Sequence, residues 1–159
     1  CGSGLVDAAA CGLDLGRIQP SGRLTDPRAG LPLIDGIALT QADIRELQLA
    51  KGAVAAGLRI LLEQSGIGIE DLAAVHLAGA FGNYVSRSSA RRIGLLECPP
   101  AIVCPVGNTA LLGAKLALFN DADEDYAGLR TRVRHVPLGS DLRFQDVFAE
   151  AMLFPAGVD

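Results

Sequence analysis

The chain has no tryptophan, and aromatic residues of all kinds make up only 4% of its 159 residues. It also lacks an unbroken apolar run of the roughly 18 residues that a membrane helix needs, and its N-terminus lacks a basic segment followed by an apolar one. Membrane spanning and secretion are therefore disfavoured, and we expect a cytoplasmic protein. Few aromatics beside abundant Ala, Leu and Gly are typical of helices packed on a mostly parallel sheet, so we predict one α/β domain.

An excess of positive charge is missing as well. Fourteen Lys and Arg oppose 18 Asp and Glu, which gives a net charge of −4, and no basic stripe carries interleaved aromatics. The one basic cluster, Arg130–His135, alternates with uncharged residues. We predict that this segment, RTRVRHVPL, is a solvated strand edge rather than a nucleic-acid surface.

The cysteines and histidines are not spaced as metal ligands. No Cys-x-x-Cys pair is present and no histidine lies at ligand spacing, so neither a zinc site nor an iron–sulfur cluster is predicted and no metal ligand is named. His76 is expected to pack within a strand and His135 to lie on the surface. The four cysteines are predicted to be packing residues: Cys1, Cys11, Cys98 and Cys104.

Several catalytic signatures are absent too. The sequence has no Gly-x-Gly-x-x-Gly fingerprint, no Walker A lysine and no nucleophile elbow. A Rossmann or P-loop enzyme is therefore disfavoured, and we name no catalytic residue.

What the chain does have is three glycine segments at the starts of helices. Cys1–Gly4 opens the chain, Gly79–Asn83 follows a predicted strand at Ala74–Ala78, and Gly107–Asn108 follows a predicted strand at Ala101–Cys104. Glycine lets a backbone approach a ligand closely, and free amides at a helix N-terminus attract anions. We predict that the three segments form one nucleotide-type site, although glycine also marks any tight strand-to-helix turn.

The longest predicted element is a helix from Gln41 to Gln64. Thr40 and Asp43 have the spacing of a capping box, and Gly66 supplies the stop. Two polar residues, Gln48 and Lys51, fall on the apolar stripe, so they either reach an edge of the core or meet an anionic or hydroxyl-rich group. The apolar stripe itself consists of Ile44, Leu47, Val54, Ala55, Leu58 and Leu62.

The rest of the single domain, 1–159, is predicted as shorter elements. A chain that begins on a glycine turn without a leading strand is expected to be part of a larger protein. In the first part, we predict a helix over 3–11 that is ended by Gly12 and Gly16, and then an irregular insert over 17–38 with a short hairpin or edge strand. After the long helix, we predict a Ser86-capped helix over 86–93 and a helix from 107 to 119. The last part, 120–159, is predicted to be an extension that docks on the lobe and contains a polar helix over 123–129 and a Ser140-capped helix over 141–152.

Five segments together resemble a known family. The segments CGSGLVDA, TQADIRELQLAKGAVAAGLRILL, VHLAGAFGNYV, VGNTALLGAKLAL and DLRFQDVFAEAMLFP are similar, in this order, to the C-terminal lobe of the reductive activators of corrinoid proteins. Those activators belong to the acetate and sugar kinase, chaperone and actin superfamily. The resemblance implies a ribonuclease-H-like lobe of the actin-like ATPase fold, truncated at its N-terminal strands.

The resemblance also implies a site. ATP would lie between two lobes, with the Gly79–Asn83 segment as the adenosine motif, although Ala80 stands where many relatives have a second glycine. The opening CGSG would lie near the phosphate-binding hairpin, and the long helix would contribute near the ribose or adenine. The implied cofactor-binding residues are Gly2, Ser3, Gly4, Glu46, Gln48, Lys51, Gly79, Ala80, Phe81, Gly82, Asn83, Gly107 and Asn108.

Whole activators of this type imply partners beyond these residues. A [2Fe–2S] domain N-terminal to this lobe would pass an electron to Co(II) of a corrinoid protein, and the binding of ATP with Mg²⁺ would assist this step. Most of the Mg²⁺ ligands would lie outside these residues. The lobe alone is expected to be inactive, and a homodimer is left open. Two alternatives remain: the lobe of a small-molecule kinase of the same superfamily, and a non-catalytic docking module for a corrinoid protein.

Overall fold

The computed structural model of the chain describes residues 1–34, 36–119 and 123–157, so parts of the predicted insert and C-terminal extension lie outside the described residues. The described chain combines helices with two small sheets. The strands are β1 (Leu31–Pro32), β2 (Ala38–Leu39), β3 (Val75–Ala78) and β4 (Val103–Gly107). The helices are α1 (Gly2–Asp14), α2 (Gln41–Ser65), α3 (Gly79–Tyr84), α4 (Arg87–Arg92), α5 (Thr109–Phe119), α6 (Asp123–Arg132) and α7 (Phe144–Met152).

The opening glycines belong to a helix, which corrects the predicted turn. Gly2 and Gly4 lie in the first turn of α1, with Cys1 at the N-cap, and neither has a positive φ. The helix also runs past Gly12, because that glycine is a packing position: a Cβ there would lie 2.7 Å from Ile18 Cδ1. The stop comes instead at Gly16, whose φ is +65°.

The predicted hairpin in the irregular segment is confirmed. β1 and β2 pair antiparallel, with Leu31 opposite Leu39 and Pro32 opposite Ala38. A separate antiparallel bridge joins Ile18 to Leu24.

The long helix is confirmed to within one residue of its predicted end. Thr40 and Asp43 form the capping box, and Gly66 closes the helix in the left-handed conformation with φ 68°. The predicted stripe is buried or half-buried except at Val54, which is 54% exposed. Gln48 and Lys51 are buried in the stripe, as predicted.

β3 and β4 form a parallel pair, and this pair positions the second and third glycine segments. Val75 lies opposite Val103 and Ala78 opposite Gly107, with an irregularity after Leu77. Parallel strands bring their carboxyl ends to the same edge of a sheet, where ligands of α/β proteins bind. β4 begins later than predicted, because the segment from Pro100 to Ile102 forms a 3₁₀ turn.

Gly79–Asn83 is not an open turn but lies within the short helix α3, a second correction. One residue, Gly79 with φ +91°, makes the reversal from β3, and helical backbone follows at once. The predicted Ser86-capped helix is confirmed as α4, and the Ser86 hydroxyl accepts from the Ser89 amide at 3.3 Å.

Two predictions about the C-terminal third are wrong. The basic cluster is not a strand: α6 continues to Arg132, so alternation of charged and uncharged residues did not decide the local structure. α7 begins at Phe144 rather than after a Ser140 cap, because Ser140 lies in a 3₁₀ turn and its hydroxyl donates to the Pro137 carbonyl oxygen at 2.8 Å.

The described residues form a core of three clusters. α7 packs on α2 through Ala55, Ala56 and Ala151, with Phe144, Val147 and Phe148 partly buried against them. A second cluster lies under the β3–β4 sheet: Val85, Ala90, Leu96, Cys98 and Val103. The main cluster joins α1, the 18–31 segment, α2, the end of α4 and the C-terminal segment: Val6, Ala9, Ala10, Leu13, Ile18, Leu24, Leu31, Ile44, Leu47, Ile93 and Phe154.

Several surface features differ from expectation. Cys98 is buried, but the other three cysteines are exposed, and all four are free. His76 is exposed rather than packed, whereas His135 is exposed as predicted. In the described part of the chain, no helix is both long and apolar enough to cross a bilayer.

Candidate functional site

The three glycine segments predicted to share one site lie together in the structure. A Cβ placed on Gly2 in α1 would lie 3.0 Å from the Phe81 ring in α3, so these two helices touch at that point. The Asn83 Oδ1 atom accepts a hydrogen bond from the Gly107 amide at 3.2 Å. α1, α3 and the β4–α5 junction therefore form one continuous surface.

The first turn of α1 carries free backbone donors. The first bond of this helix runs from the Leu5 amide to the Cys1 carbonyl, so the amides of residues 2–4 have no partner within it. α1 is 13 residues long, and its N-terminal end carries the positive end of the helix dipole. The hydroxyl of Ser3 lies in this turn, 3.1 Å from Cys1 Sγ.

The glycines of this surface serve two different purposes. Gly79 and Gly107 have φ values of +91° and +72°, and a Cβ on either would meet nothing within 4 Å. The space beside them is open to a ligand. Gly82 is the opposite case, because a Cβ there would lie 3.0 Å from Leu77 Cβ and 3.1 Å from the Leu77 carbonyl carbon, so this glycine lets α3 pack on β3.

The remaining predicted residues of these segments flank the open space. Ala80 is exposed, so its methyl group lies on the surface. Phe81 is 51% exposed although it contacts α1. Asn108 begins α5, and its Oδ1 atom accepts from the Leu111 amide at 3.0 Å.

A cleft of about 560 Å³ opens beside Asn83, within the range typical of small-molecule sites. Arg87 lies in its wall, and its Nη1 atom donates to the Val103 carbonyl oxygen at 3.2 Å, which ties α4 to β4. The contribution of α4 was not predicted from the sequence, because Ser86 was interpreted only as a helix cap; the polar run SRSS, which begins three residues after Asn83, was the available signal. The full lining is Asn83, Val85, Ser86, Arg87, Ser88, Pro100, Ala101 and Pro105.

The two buried polar residues of α2 lie in a different environment. The Gln48 Nε2 atom donates to the Met152 carbonyl oxygen at 3.0 Å, and the Lys51 Nζ atom donates to the Leu153 carbonyl oxygen. Glu46, the third predicted residue of this helix, is exposed. The role of these three residues as nucleotide contacts stays a prediction, and here the buried pair holds the C-terminal segment.

Burial lowers the pKa of Lys51. Only 2% of the residue is exposed, and this desolvation lowers the pKa of Lys51 from 10.5 to about 8, with Glu97 opposing the shift and Arg59 adding to it. A cavity of about 250 Å³ beside it is lined by Lys51, Arg59, Gly94, Glu97, Glu150, Ala151, Leu153, Phe154 and Pro155. These residues are distinct from those lining the cleft beside Asn83.

Asp7 carries an unsatisfied atom in α1. Its Oδ1 atom is buried and has no hydrogen-bond partner, the one such side-chain atom in residues 1–34, 36–119 and 123–157. An unpaired buried carboxylate oxygen is costly, so such an atom is a candidate acceptor for a ligand. Asp7 lies one helical turn after Ser3, and although the segment CGSGLVDA contains it, it was not predicted as a site residue. Within the described ranges, no group of three or more His, Cys, Asp or Glu side chains could hold a metal ion.

Comparisons with known proteins agree on one family. A family model described as the C-terminal domain of RACo, the ASKHA domain, matches residues 1–158. The corrinoid activation enzyme RamQ of Eubacterium limosum is 36% identical over 120 residues, which cover 74% of this chain and 20% of RamQ. The [Co(II) methylated amine-specific corrinoid protein] reductase of Methanosarcina barkeri is 31% identical over 150 residues, which cover 92% of this chain and 27% of that reductase.

A solved structure has the same fold. The reductive activator for corrinoid, iron–sulfur protein superposes with a TM-score of 0.81 at 30% identity, over 98% of this chain and 28% of that one. This match confirms the predicted α/β fold class. The chain spans between a fifth and just over a quarter of the length of these relatives.

Proposed function

The chain belongs to the family of the RACo C-terminal ASKHA domain, and from this premise we propose that it is the nucleotide-binding lobe of an ATP-dependent activator that reduces Co(II) corrinoid proteins to Co(I). The names of the relatives support corrinoid activation as the general function. ATP dependence is supported by the site itself. The cytoplasmic location expected from the sequence stays a prediction.

The observation that carries the nucleotide proposal is the convergence of three sequence-distant segments on one surface. Gly2 touches Phe81, and Asn83 binds Gly107, so the end of α1, α3 and the β4–α5 junction surround the same open space. Two glycines there have positive φ and leave room where a Cβ would stand.

The described residues fit ATP at distinct positions. The amides of residues 2–4, at the positive end of α1, are suited to phosphate oxygens. Gly79 and Gly107 allow the purine and ribose to approach the backbone, and the Asn83 carboxamide, which is exposed, presents both a donor and an acceptor to them. When bound, ATP supplies binding free energy that helps an uphill electron transfer, and the electron would come from a [2Fe–2S] domain elsewhere in a longer protein.

The test is ATP titration of the full-length polypeptide by calorimetry. Asn83→Ala removes the carboxamide, and we expect the Kd for ATP to rise by about fivefold to tenfold, the equivalent of one neutral hydrogen bond. Gln64→Ala is the matched control, because it removes an exposed amide that bonds to Asp141 at the far end of α2. An Asn83→Ala protein that binds ATP as tightly as the control would rule out the adenosine assignment.

A further inference from the structure

The C-terminal segment Met152–Pro155, here called the strap, is held by its backbone. The Phe154 amide donates to the Pro20 carbonyl oxygen at 2.8 Å. Three side chains donate to strap carbonyls: Gln48 Nε2 to Met152 at 3.0 Å, Lys51 Nζ to Leu153, and Arg92 Nη1 to Pro155 at 3.0 Å. The strap therefore bridges α2, the end of α4 and the loop at Pro20.

The surfaces under the strap are shaped to receive it. A Cβ on Gly52 of α2 would lie 3.0 Å from Met152 Cγ and 3.2 Å from the Met152 amide nitrogen. A Cβ on Gly94, two residues after α4, would lie 3.1 Å from the Pro155 ring. Larger residues at either position would displace the strap.

Holding the strap with Lys51 requires the desolvation of a charged ammonium group, which is unfavourable. Its ammonium group is buried against the Leu153 carbonyl and lies 5.3 Å from the centroid of the Phe154 ring. The charged groups nearest to it are Arg59 of α2, Glu97 after α4 and Glu150 of α7, none of which forms an ion pair with it. An apolar side chain of similar size would avoid the desolvation of a charge but would leave the Leu153 carbonyl oxygen without this donor, so the lysine serves to hold the strap backbone.

α4 connects the strap to the cleft beside Asn83. A cavity of about 460 Å³ lies against the end of the strap, lined by Ser88, Arg91, Arg92, Glu97, Pro100, Pro155 and Ala156. Two of these residues, Ser88 and Pro100, also line the cleft beside Asn83. One short helix thus has the strap at its C-terminal end and the cleft at its N-terminal end.

We propose that Gln48 and Lys51 are positioning residues for the cleft beside Asn83: they hold the strap, and the strap through Arg92 holds α4, which forms one wall of this cleft. This proposal rests on the proposed function, because it takes the cleft as a continuation of the proposed ATP surface, with which the cleft shares Asn83. By linkage, ATP binding tightens the strap as much as the strap tightens ATP binding.

Lysine labelling measures strap docking directly. The chain has two lysines, Lys51 under the strap and Lys115 on the exposed face of α5, so the second is an internal control. In the full-length polypeptide, amine acetylation followed site by site by mass spectrometry is expected to be slower at Lys51, and saturating ATP is expected to slow it there by about fivefold or more, the lower end of typical coupling between sites. Equal labelling of Lys51 with and without bound ATP would overturn the coupling.

Hydrogen exchange separates this proposal from a direct contact between Lys51 and ATP. Lys51→Met is expected to speed exchange of the Phe154 amide and also of the Ile93 and Leu95 amides at the end of α4, with Lys115→Met as the control. Faster exchange at Phe154 alone would mean that the strap does not position α4, which overturns the proposal even if ATP binds. If Lys51→Met fails to fold, Gln48→Leu makes the same test.

The pH profile tests whether Lys51 is desolvated beneath the docked strap. Because docking lowers the pKa of Lys51, the strap should dock more tightly as pH rises from about 8 towards 10.5. Protection of the Phe154 amide, corrected for intrinsic exchange, should rise over this range in the wild type and stay flat in Lys51→Met. An unaffected ATP affinity in Asn83→Ala would refute the proposed function, whereas unaffected α4 exchange in Lys51→Met refutes the strap proposal alone.

Discussion

Asn83 and Gly107 are 24 residues apart in sequence and are joined by a hydrogen bond of 3.2 Å from the Gly107 amide to Asn83 Oδ1. The bond ties the helix after β3 to the turn after β4, the two strands that form the parallel pair. Since Gly107, like Gly79 on the same surface, has open space at its Cβ position, the bond fixes the backbone that a ligand would approach. Asn83 therefore has a structural partner on one side and solvent on the other.

Gly82→Ala should destabilise the lobe by about 1–3 kcal/mol, the usual cost of overpacking. The added methyl would lie 3.0 Å from Leu77 Cβ and 3.2 Å from the Leu77 carbonyl oxygen, and backbone cannot yield as a flexible side chain can. Gly113→Ala is the control, because Gly113 lies within α5 and has nothing near its Cβ position. Alanine there should raise the free energy of unfolding by about 0.5–1 kcal/mol, because it favours the helix more than glycine does. Urea unfolding measures both changes, and equal effects would contradict the assigned packing role of Gly82.

Thr40→Ala should cost about 1 kcal/mol by removing the N-cap of α2. The Thr40 hydroxyl accepts from the Asp43 amide at 3.3 Å, and the Asp43 carboxylate accepts from the Thr40 amide at 2.7 Å. The Thr40 hydroxyl also holds the pKa of Asp43 below its usual value, so this pKa should rise in the variant, as NMR titration can measure. Ser140→Ala is the comparison, because Ser140 caps no helix, and a loss as large as that of Thr40→Ala would show that the cap assignment is wrong.

Local signals predicted α2 well because they are complete within its own sequence. Thr40, Asp43 and Gly66 define both ends without help from the rest of the chain. The parallel strands and the convergence of the three glycine segments were likewise predicted from the order of apolar runs and turns. These features depend on neighbours in sequence or on the general geometry of α/β units.

Predictions failed where tertiary contacts decided the outcome. Gly12 matches the pattern of a helix stop, but Ile18 occupies the space of its missing side chain, so the helix continues. The pattern on α2 placed Gln48 and Lys51 in the core, yet it could not identify their partners, because Met152 and Leu153 lie about a hundred residues away in sequence. The polar run at Ser86–Ser88 was a local signal, but it could not show that these residues line a cleft, because Pro100 and Pro105 complete the lining from elsewhere in the sequence.

Asp141→Asn should lower the stability of the protein at neutral pH but not near pH 2. Arg143 donates to Asp141 from its side chain and backbone, and mainly these side-chain bonds lower the pKa of Asp141 from 3.8 to about 2. A lowered pKa means that the contribution is fully present above about pH 4 and is lost as pH falls towards 2. Thermal unfolding should therefore separate wild type from variant at pH 6 and bring them together near pH 2. A difference in Tm that stays constant with pH would contradict the ionic origin of the effect.

Lys51→Met should change how stability depends on alkaline pH. Because burial lowers the pKa of Lys51 to about 8, the unfolded chain binds more protons than the folded chain between about pH 8 and 10.5. The free energy of unfolding contributed by this group must then rise across that window, whereas at pH 7 the full cost of burying the ammonium is present. The variant has no such group, so the Tm of the wild type minus the Tm of Lys51→Met should increase as pH rises from 7 to 10. Lys115→Met corrects for the loss of one positive charge, since it removes the only other lysine from an exposed helix. If Tm depended on pH in the same way in the wild type and in Lys51→Met, the ammonium group of Lys51 would not be desolvated beneath the strap. That result would contradict the predicted pH dependence of strap docking.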